Sequence, residues 1–494
     1  MRTISVSVMA LPLLLMTVLL TAPSQAFSFF PSIFDRNTTW DLCDKCKCPT
    51  ILQEAREHGV SCRDVNLTSL TDGVVIERNY SKVDFSKNSI ASITKDTFKP
   101  SHTLKSLDLS ANVIGSLGVR VFKPLSSLDS LSLENNLLSS LNEETFDGIG
   151  NLTSLDLSYN KLSDLPPGLF KPLPKLQFLS LAFNPLASMD GSVLWGSESL
   201  VTLDLSGIGF KTLHKDFFSS NMTKLEKLIL SFNAIEVVPS KALFNLRNSL
   251  TYLDLSANPI KTLGAYSFFS LSYVKTLILR QMLQLVSIEA YSFGDLVSLE
   301  RCEIAYAPRI LTLDGKAFHT NKNGSDSVLL LENFSFSFSV LRTLPEGLLK
   351  WDHLRQVRLE YNQWCCDCSM KWVKNSSLID LVGDRMICSS PDFLRGHRLA
   401  KVNDKDLICG VTAVSSHKAP ISPPSRSFGF LVGLMVLGFV TSIATVALLV
   451  YWRQGWLCRR PQNAYSRVRA GRTTITVTDD MEWDNGDLEA DSKA

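Results

Sequence analysis

The phrase Leu-x-x-Leu-x-Leu-x-x-Asn returns along the chain at a fixed step, and that recurrence limits the fold more than any other feature. It is spelled LKSLDLSANVI from Leu104, LDSLSLENNLL from Leu128, LTSLDLSYNKL from Leu152, LQFLSLAFNPL from Leu176 and LTYLDLSANPI from Leu250. The step is 24 residues from Leu104 through Leu128, Leu152 and Leu176 to Leu200, then 25, 25, 24 and 25 to Leu225, Leu250, Val274 and Leu299. A chain with such a period is a stack of units, each burying its apolar side only against its neighbours. One stack absorbs most of 494 residues that would otherwise suggest several globular domains.

The period and wording resemble the leucine-rich repeats. The resemblance implies an α/β solenoid, a horseshoe with short parallel strands on its concave side and irregular, 3-10 or helical segments on its convex side. Starts at Tyr80, Leu104, Leu128, Leu152, Leu176, Leu200, Leu225, Leu250, Val274, Leu299, a degraded unit near Ser325, and Leu354 give about twelve repeats over residues 80–361. Their sheet would run on the order of 55 Å at the ~4.8 Å spacing of parallel strands.

Leu152, Leu155 and Leu157 point inward in this scheme. Past the strand the backbone turns inside the coil, where an unpaired N–H or C=O costs about 1–3 kcal/mol. Asparagine both donates and accepts, so Asn88, Asn112, Asn136, Asn160 and Asn184 are expected to stack as a ladder that holds these turns. Their role is structural. Ile208, Met282 and Ala307 take the ladder position in three units, whose turns must be satisfied otherwise. Asn333, if it occupies that position, would be buried and carry no glycan. A second spine, Phe98, Phe122, Phe146, Phe170, Phe218, Phe244, Phe268, Phe293 and Phe318, is expected to fill the convex side of the core.

Residues 1–26 have one early arginine, an apolar run and small residues Ser24 and Ala26, the pattern of a cleaved signal peptide. Residues 428–452 carry no charge and reach about 37 Å as a helix, enough for one membrane span. Arginines crowd the far side (Arg453, Arg459, Arg460, Arg467, Arg469, Arg472), which predicts a type I plasma-membrane protein with its N-terminus outside. Sequons at Asn37, Asn66, Asn79, Asn151, Asn221, Asn323, Asn333 and Asn375 all precede the span. A Ser/Pro stalk at 411–427 would lift the solenoid off the bilayer, and a 42-residue tail at 453–494 reads as disordered. Within the tail Cys458 is a lipidation candidate, and Tyr465 to Val468, YSRV, resembles an endocytic signal. Gly429 and Gly433 form a small-residue pair that would let two helices approach, hence a possible homodimer.

An open solenoid needs capped ends. After a short N-terminal segment, 27–42, CDKCKCPT and Cys62 mark one cap at 43–79, and NQWCCDCSMKW with Cys388 and Cys409 marks the other at 362–410. The second resembles the C-terminal cap of extracellular leucine-rich repeat proteins: Asn362, Trp364, Cys366, Asp367, Cys368 and Trp372 match, while Gln363 and Met370 depart. That resemblance implies Cys366–Cys388 and Cys368–Cys409, with Cys43–Cys48 and Cys46–Cys62 at the other end; the sequence alone allows other pairings. A signal peptide puts these clusters in an oxidising compartment, which favours disulfides over zinc. Cys302 takes a core leucine position, and Cys365 is left free or for pairing between chains.

Net charge is +2, with 50 basic and 48 acidic residues, so nothing pulls the chain toward nucleic acid. Asp108, Asp156, Asp204 and Asp254 belong to the repeat phrase and read as solvated. Tyr159, Phe178, Phe183, Ile229, Phe232 and Tyr252 put bulky apolar groups on the expected exposed face and form the candidate ligand-binding surface. Arg280, Arg301, Arg355 and Arg358 with Glu300, Glu303 and Glu360 make a mixed charged surface further on. No His-Glu-x-x-His or Gly-x-Ser-x-Gly motif is present, so neither an enzyme nor a cofactor is expected. The whole resembles extracellular leucine-rich repeat transmembrane proteins of adhesion and recognition. It implies a protein that binds an extracellular protein ligand as adhesion molecule or co-receptor, with an accessory subunit of another membrane protein as the rival reading.

Overall fold

The computed structural model describes residues 46–47, 59–70, 80–98, 100–322 and 324–409. The expected signal peptide, N-terminal segment, stalk, membrane span and tail lie outside these residues, as do Asn37, Asn79, Asn323, Cys43, Cys48, Cys458, Tyr465 and Val468. Among the described residues no helix is long and apolar enough to cross a membrane.

A 13-stranded parallel sheet runs the length of the described chain. Its first strand, β1 (Val60–Ser61), falls within residues 43–79, where the sequence predicts a cap. Twelve follow in chain order: β2 (Lys82–Asp84), β3 (Ser106–Asp108), β4 (Ser130–Ser132), β5 (Ser154–Asp156), β6 (Phe178–Ser180) and β7 (Thr202–Asp204), then β8 (Lys227–Ile229), β9 (Tyr252–Asp254), β10 (Thr276–Arg280), β11 (Arg301–Ala305), β12 (Asn333–Ser337) and β13 (Gln356–Arg358). Each pairs only with the strands before and after it, so the sheet is built by translation along the stack. In the three-residue repeat strands the central residue is buried, and in the five-residue strands β10, β11 and β12 the second and fourth residues are (Leu277 and Leu279, Cys302 and Ile304, Phe334 and Phe336), which is the two-residue alternation of a sheet with one packed face.

Behind the strands the leucines and phenylalanines form one continuous core. Phe98 stacks on Phe122 and Phe146 on Phe170, with centroids 6.3 and 6.1 Å apart; Phe268, Phe293 and Phe318 form a second run at 5.6 and 4.2 Å. The expected spine breaks at Phe244. The short helix Ser240–Leu243 rotates that unit by one residue, so Leu243 enters the core and Phe244 lies outside beneath the Arg247 guanidinium, 4.3 Å from its ring centroid. The back of the solenoid is mainly turns, with two-residue parallel strands such as Thr262–Leu263 and Ser287–Ile288; its helical share is smaller than an α/β solenoid suggests.

The unit expected near Ser325 begins later. Cys302 on β11 is in register with Phe334 on β12, 32 residues on, and the extra length forms an antiparallel hairpin, His319–Lys322 with Ser325–Val328. Asn333 is therefore not a ladder residue. It opens β12 in register with Arg301 and Gln356, half-buried on the outward face, and Ser339 takes the ladder position.

The asparagine ladder behaves as the turn demands. The Asn160 amide donates to the carbonyls of Leu133 in the preceding repeat (2.9 Å) and Leu157 in its own (3.0 Å), and its oxygen accepts from the Leu138 N–H at 3.0 Å. Asn112, Asn136, Asn184, Asn233 and Asn258 repeat the pattern. At Ile208 the ladder is interrupted, and the Leu186 N–H that an asparagine there would accept turns back to the Asn184 carbonyl at 2.8 Å. At the irregular unit the Ser339 hydroxyl accepts from the Ala307 N–H at 3.0 Å.

Among the described residues there are three disulfides: Cys46–Cys62 beside β1, and Cys366–Cys388 and Cys368–Cys409 in the segment after β13. These pairings match those implied by the cap resemblance. Cys302 is buried and unbridged, and burial pushes its thiol well above the ordinary range. Cys365 is half-buried, with its sulfur 3.5 Å from an Asp367 carboxylate oxygen.

Candidate binding face

The residue before the ladder position has a left-handed backbone in all twelve repeats, from Lys87 (φ 56°) through Tyr159 (54°), Phe183 (55°) and Phe232 (56°) to Tyr361 (59°). Only Gly207 is of the type that adopts this conformation freely. Each other residue costs on the order of 1 kcal/mol, which the architecture offsets by hydrogen bonds: the N–H of Tyr159 donates to the Ala182 carbonyl (2.8 Å) and that of Phe183 to Ser206 (2.7 Å). The turn swings these side chains off the sheet face onto a rim along the strand ends.

This divides the six residues of the sequence-derived surface into two groups. Tyr159, Phe183 and Phe232 are on the rim, not on strands. Tyr159 stacks on Phe183 (4.6 Å, 13°) and Phe183 leans toward Phe232 (5.8 Å, 49°), and Tyr159 and Phe232 keep 50 and 51% of their surface exposed. Gly207 lies between: a Cβ there would come within 2.5 Å of the Phe183 ring, so its absence lets that ring lie over the next repeat. Phe178, Ile229 and Tyr252 are on the strands themselves, half-buried, with Phe178 and Tyr252 separated in one register row by Thr202 and Lys227. Lys227 places its ammonium 4.8 Å from the Tyr252 ring centroid.

A second aromatic group escaped the sequence reading. Tyr306, Phe338 and Tyr361 continue the rim and stack at 4.6 and 4.4 Å, with Tyr361 71% exposed. Beside Tyr361 a cleft of about 400 Å³ is lined by Glu360, Trp364, Arg385 and Ile387. The signal was an aromatic before the ladder position, as at Tyr159, but Ala307 and Ser339 replace the asparagine that marks it.

The aspartates of the repeat phrase are more than solvated. Asp108, Asp156, Asp204 and Asp254 each accept the N–H two residues on, at 2.8 to 2.9 Å, fixing the start of the left-handed turn. They also load the face with negative charge. Burial, then repulsion from Asp156 and Asp108, pushes the Glu134 carboxyl above the usual range. For Asp204, burial outweighs the bonds from Ser206, with Asp156 and Asp254 adding repulsion, and its carboxyl is raised as well. Further along, the charges are mutually paired: Arg280 grips Glu303 through two bonds of 2.7 and 2.8 Å, Arg301 reaches the same carboxylate at 3.4 Å, Arg355 meets Glu332 at 3.4 Å and Arg385 meets Glu360 at 2.7 Å. Burial disfavours the Glu303 anion, yet the two arginines hold its carboxyl below the usual range. Glu300 pairs with Lys275 at 2.9 Å, and Arg358 lines a small cup with Arg301, Asn333 and Gln356.

Of the sequons among the described residues, Asn66, Asn151, Asn221 and Asn375 are exposed. Asn151 and Asn221 lie in turns before β5 and β8, whereas the rim residues follow the strands.

The Leucine rich repeat family model matches residues 78–138, 126–186 and 198–260. The repeats within those segments are of the leucine-rich type. A 228-residue stretch, 45% of the chain, is 28% identical to trophoblast glycoprotein of Macaca fascicularis and covers 39% of it, so the match spans about two fifths of that relative's length. Similar solved structures include a leucine-rich repeat protein of Leptospira interrogans (21% identity, TM-score 0.46, 64% of this chain and 89% of that one) and a chain from the octameric complex of latrophilin 3, Unc5D and FLRT2 (20%, 0.46, 74% and 99%). A third is from the Drosophila Toll–Spatzle complex (20%, 0.41, 67% and 55%).

Proposed function

We propose that this chain is a glycosylated type I cell-surface protein that recognises an extracellular protein ligand through its solenoid, in adhesion or co-reception. The observation that carries the reading is the aromatic row Tyr159–Phe183–Phe232, exposed at Tyr159 and Phe232 and half-buried at Phe183 between them. It is held out by a left-handed turn, and the core requires nothing large there. Rigid, exposed aromatics with a polar surround are the residue class that dominates binding energy at protein interfaces. Asn151 and Asn221 put their glycans in turns before the strands, whereas the rim residues follow them, which leaves the rim clear. The half-buried Phe178, Ile229 and Tyr252 extend the surface across the sheet, and disulfide-closed caps suit an oxidising exterior. The 428–452 helix anchors the protein, Cys458 is lipidated, and Tyr465 and Val468 mark the tail for endocytosis.

Phe183→Ala and Phe232→Ala proteins are expected to reach the cell surface at normal density yet lose capture of the ligand in cell-binding assays, by about 2 kcal/mol or more per anchor. Ser110→Ala, on the same face outside the row, is expected to bind normally. Undiminished binding by both folded aromatic variants would refute the site.

A further inference from the structure

From β3 to β9 the aspartates stand on every second strand, with Asp84 of β2 in register beside Asp108 at the start of the row. In register, Asp108 of β3, Asp156 of β5, Asp204 of β7 and Asp254 of β9 are separated by Ser132, Ser180 and Ile229. At about 4.8 Å per strand, the carboxylates form a line with a period of about 9.6 Å. Each uses one oxygen in its own turn. Among the described residues none of them, nor the adjacent Glu134, is in an ion pair; on β10 and β11, by contrast, Arg280 and Arg301 both pair with Glu303. Lys227 is the single cation on β3–β9, and it is turned onto Tyr252. The sheet face thus keeps a spaced row of unneutralised acids beside an aromatic rim.

A polyproline II segment has three residues per turn and rises about 3.1 Å per residue, so every third side chain falls on one face about 9.3 Å from the last. That spacing matches the carboxylate row. Resting on the binding face proposed above, we infer that the partner presents an extended, proline-compatible segment with lysine or arginine at every third position. It lies across β3–β9, with its cations over the aspartates and its apolar residues toward the Tyr159–Phe183–Phe232 rim. Charge complementarity selects this occupant over an acidic or neutral one.

The test uses the full-length protein in detergent and two fluorescent peptides of equal composition: Arg-Pro-Pro repeated four times, and a control with the arginines in one block. The variant is Asp156→Ser with Asp204→Ser, because serine already stands at these positions in the neighbouring repeats (Ser132, Ser180), whereas asparagine would write new Asn-Leu-Ser sequons. The periodic peptide is expected to bind about tenfold more tightly than the block control, and about tenfold more weakly to the double variant. Equal affinity of the two peptides, or binding unaltered by the double variant, overturns the inference. If ligand capture on cells still depends on Phe183 while neither peptide binds, the face stands and its cationic partner does not. If Phe183→Ala leaves cell capture intact, the face itself is refuted.

Discussion

Asn160→Leu isolates what one rung of the ladder contributes. The side chain is 7% exposed and serves four backbone groups, but these do not lose equally: the Ser158 carbonyl, 3.2 Å from the Asn160 amide, keeps the Asn135 N–H at 2.9 Å. The Leu133 carbonyl also accepts from Asn136 at 3.1 Å, and the Leu157 carbonyl from Asn184 at 3.0 Å, so each retains a partner. The Leu138 N–H has only the Asn160 oxygen and is left buried and unpaired, at about 1–3 kcal/mol; two weakened carbonyls bring the expected loss to about 2–4 kcal/mol. In a repeat array this loss is local before it is global. Hydrogen exchange is therefore the assay: the Leu138 amide should exchange about 30-fold faster or more, with smaller changes in repeats two or more units away. Unchanged protection at Leu138, with an unchanged melting temperature, would refute the account of the buried turn.

Gly207→Ala should cost only about 1 kcal/mol of backbone strain, because Ala111 and Ala257 hold the same conformation elsewhere, but it should displace the Phe183 ring and weaken ligand capture in a surface-binding assay. Raised carboxyl pKa values mean that folded Glu134 and Asp204 hold protons more tightly than the unfolded chain; their contribution opposes folding at neutral pH and fades as pH falls through the raised values. Glu134→Gln should accordingly raise the melting temperature at pH 7 by about 1 °C, with a smaller gain under mild acid. Cys302 should resist alkylation in the native protein and react only on unfolding, as mass spectrometry of labelled peptides would show.

The leucine core and the ladder were legible because each residue type there has one physical job at one period. The spine was legible except at Phe244, where a single turn of helix shifted the unit by one residue and no residue type announced it. The rim was not legible as a rim. Counting alternate residues past the strand put Phe183 and Phe232 on the sheet face, and only Gly207 among twelve residues signals a positive φ. Tyr306 and Phe338 were missed because the asparagine used to find their neighbours is absent. Asn333 was ambiguous for the opposite reason, an asparagine standing where the 32-residue step makes it a strand residue.

The left-handed row separates two demands that most protein surfaces mix. Lysine, alanine, asparagine, tyrosine, phenylalanine, glycine and glutamine all occupy it with nearly the same backbone, so the fold sets where each side chain stands and places little constraint on what it is. Recognition can then be rewritten one repeat at a time. A changed rim residue alters the contact offered to a partner while the strand, the aspartate turn and the asparagine rung behind it stay in place, and twelve such positions form a line of independent letters along one edge of a rigid stack.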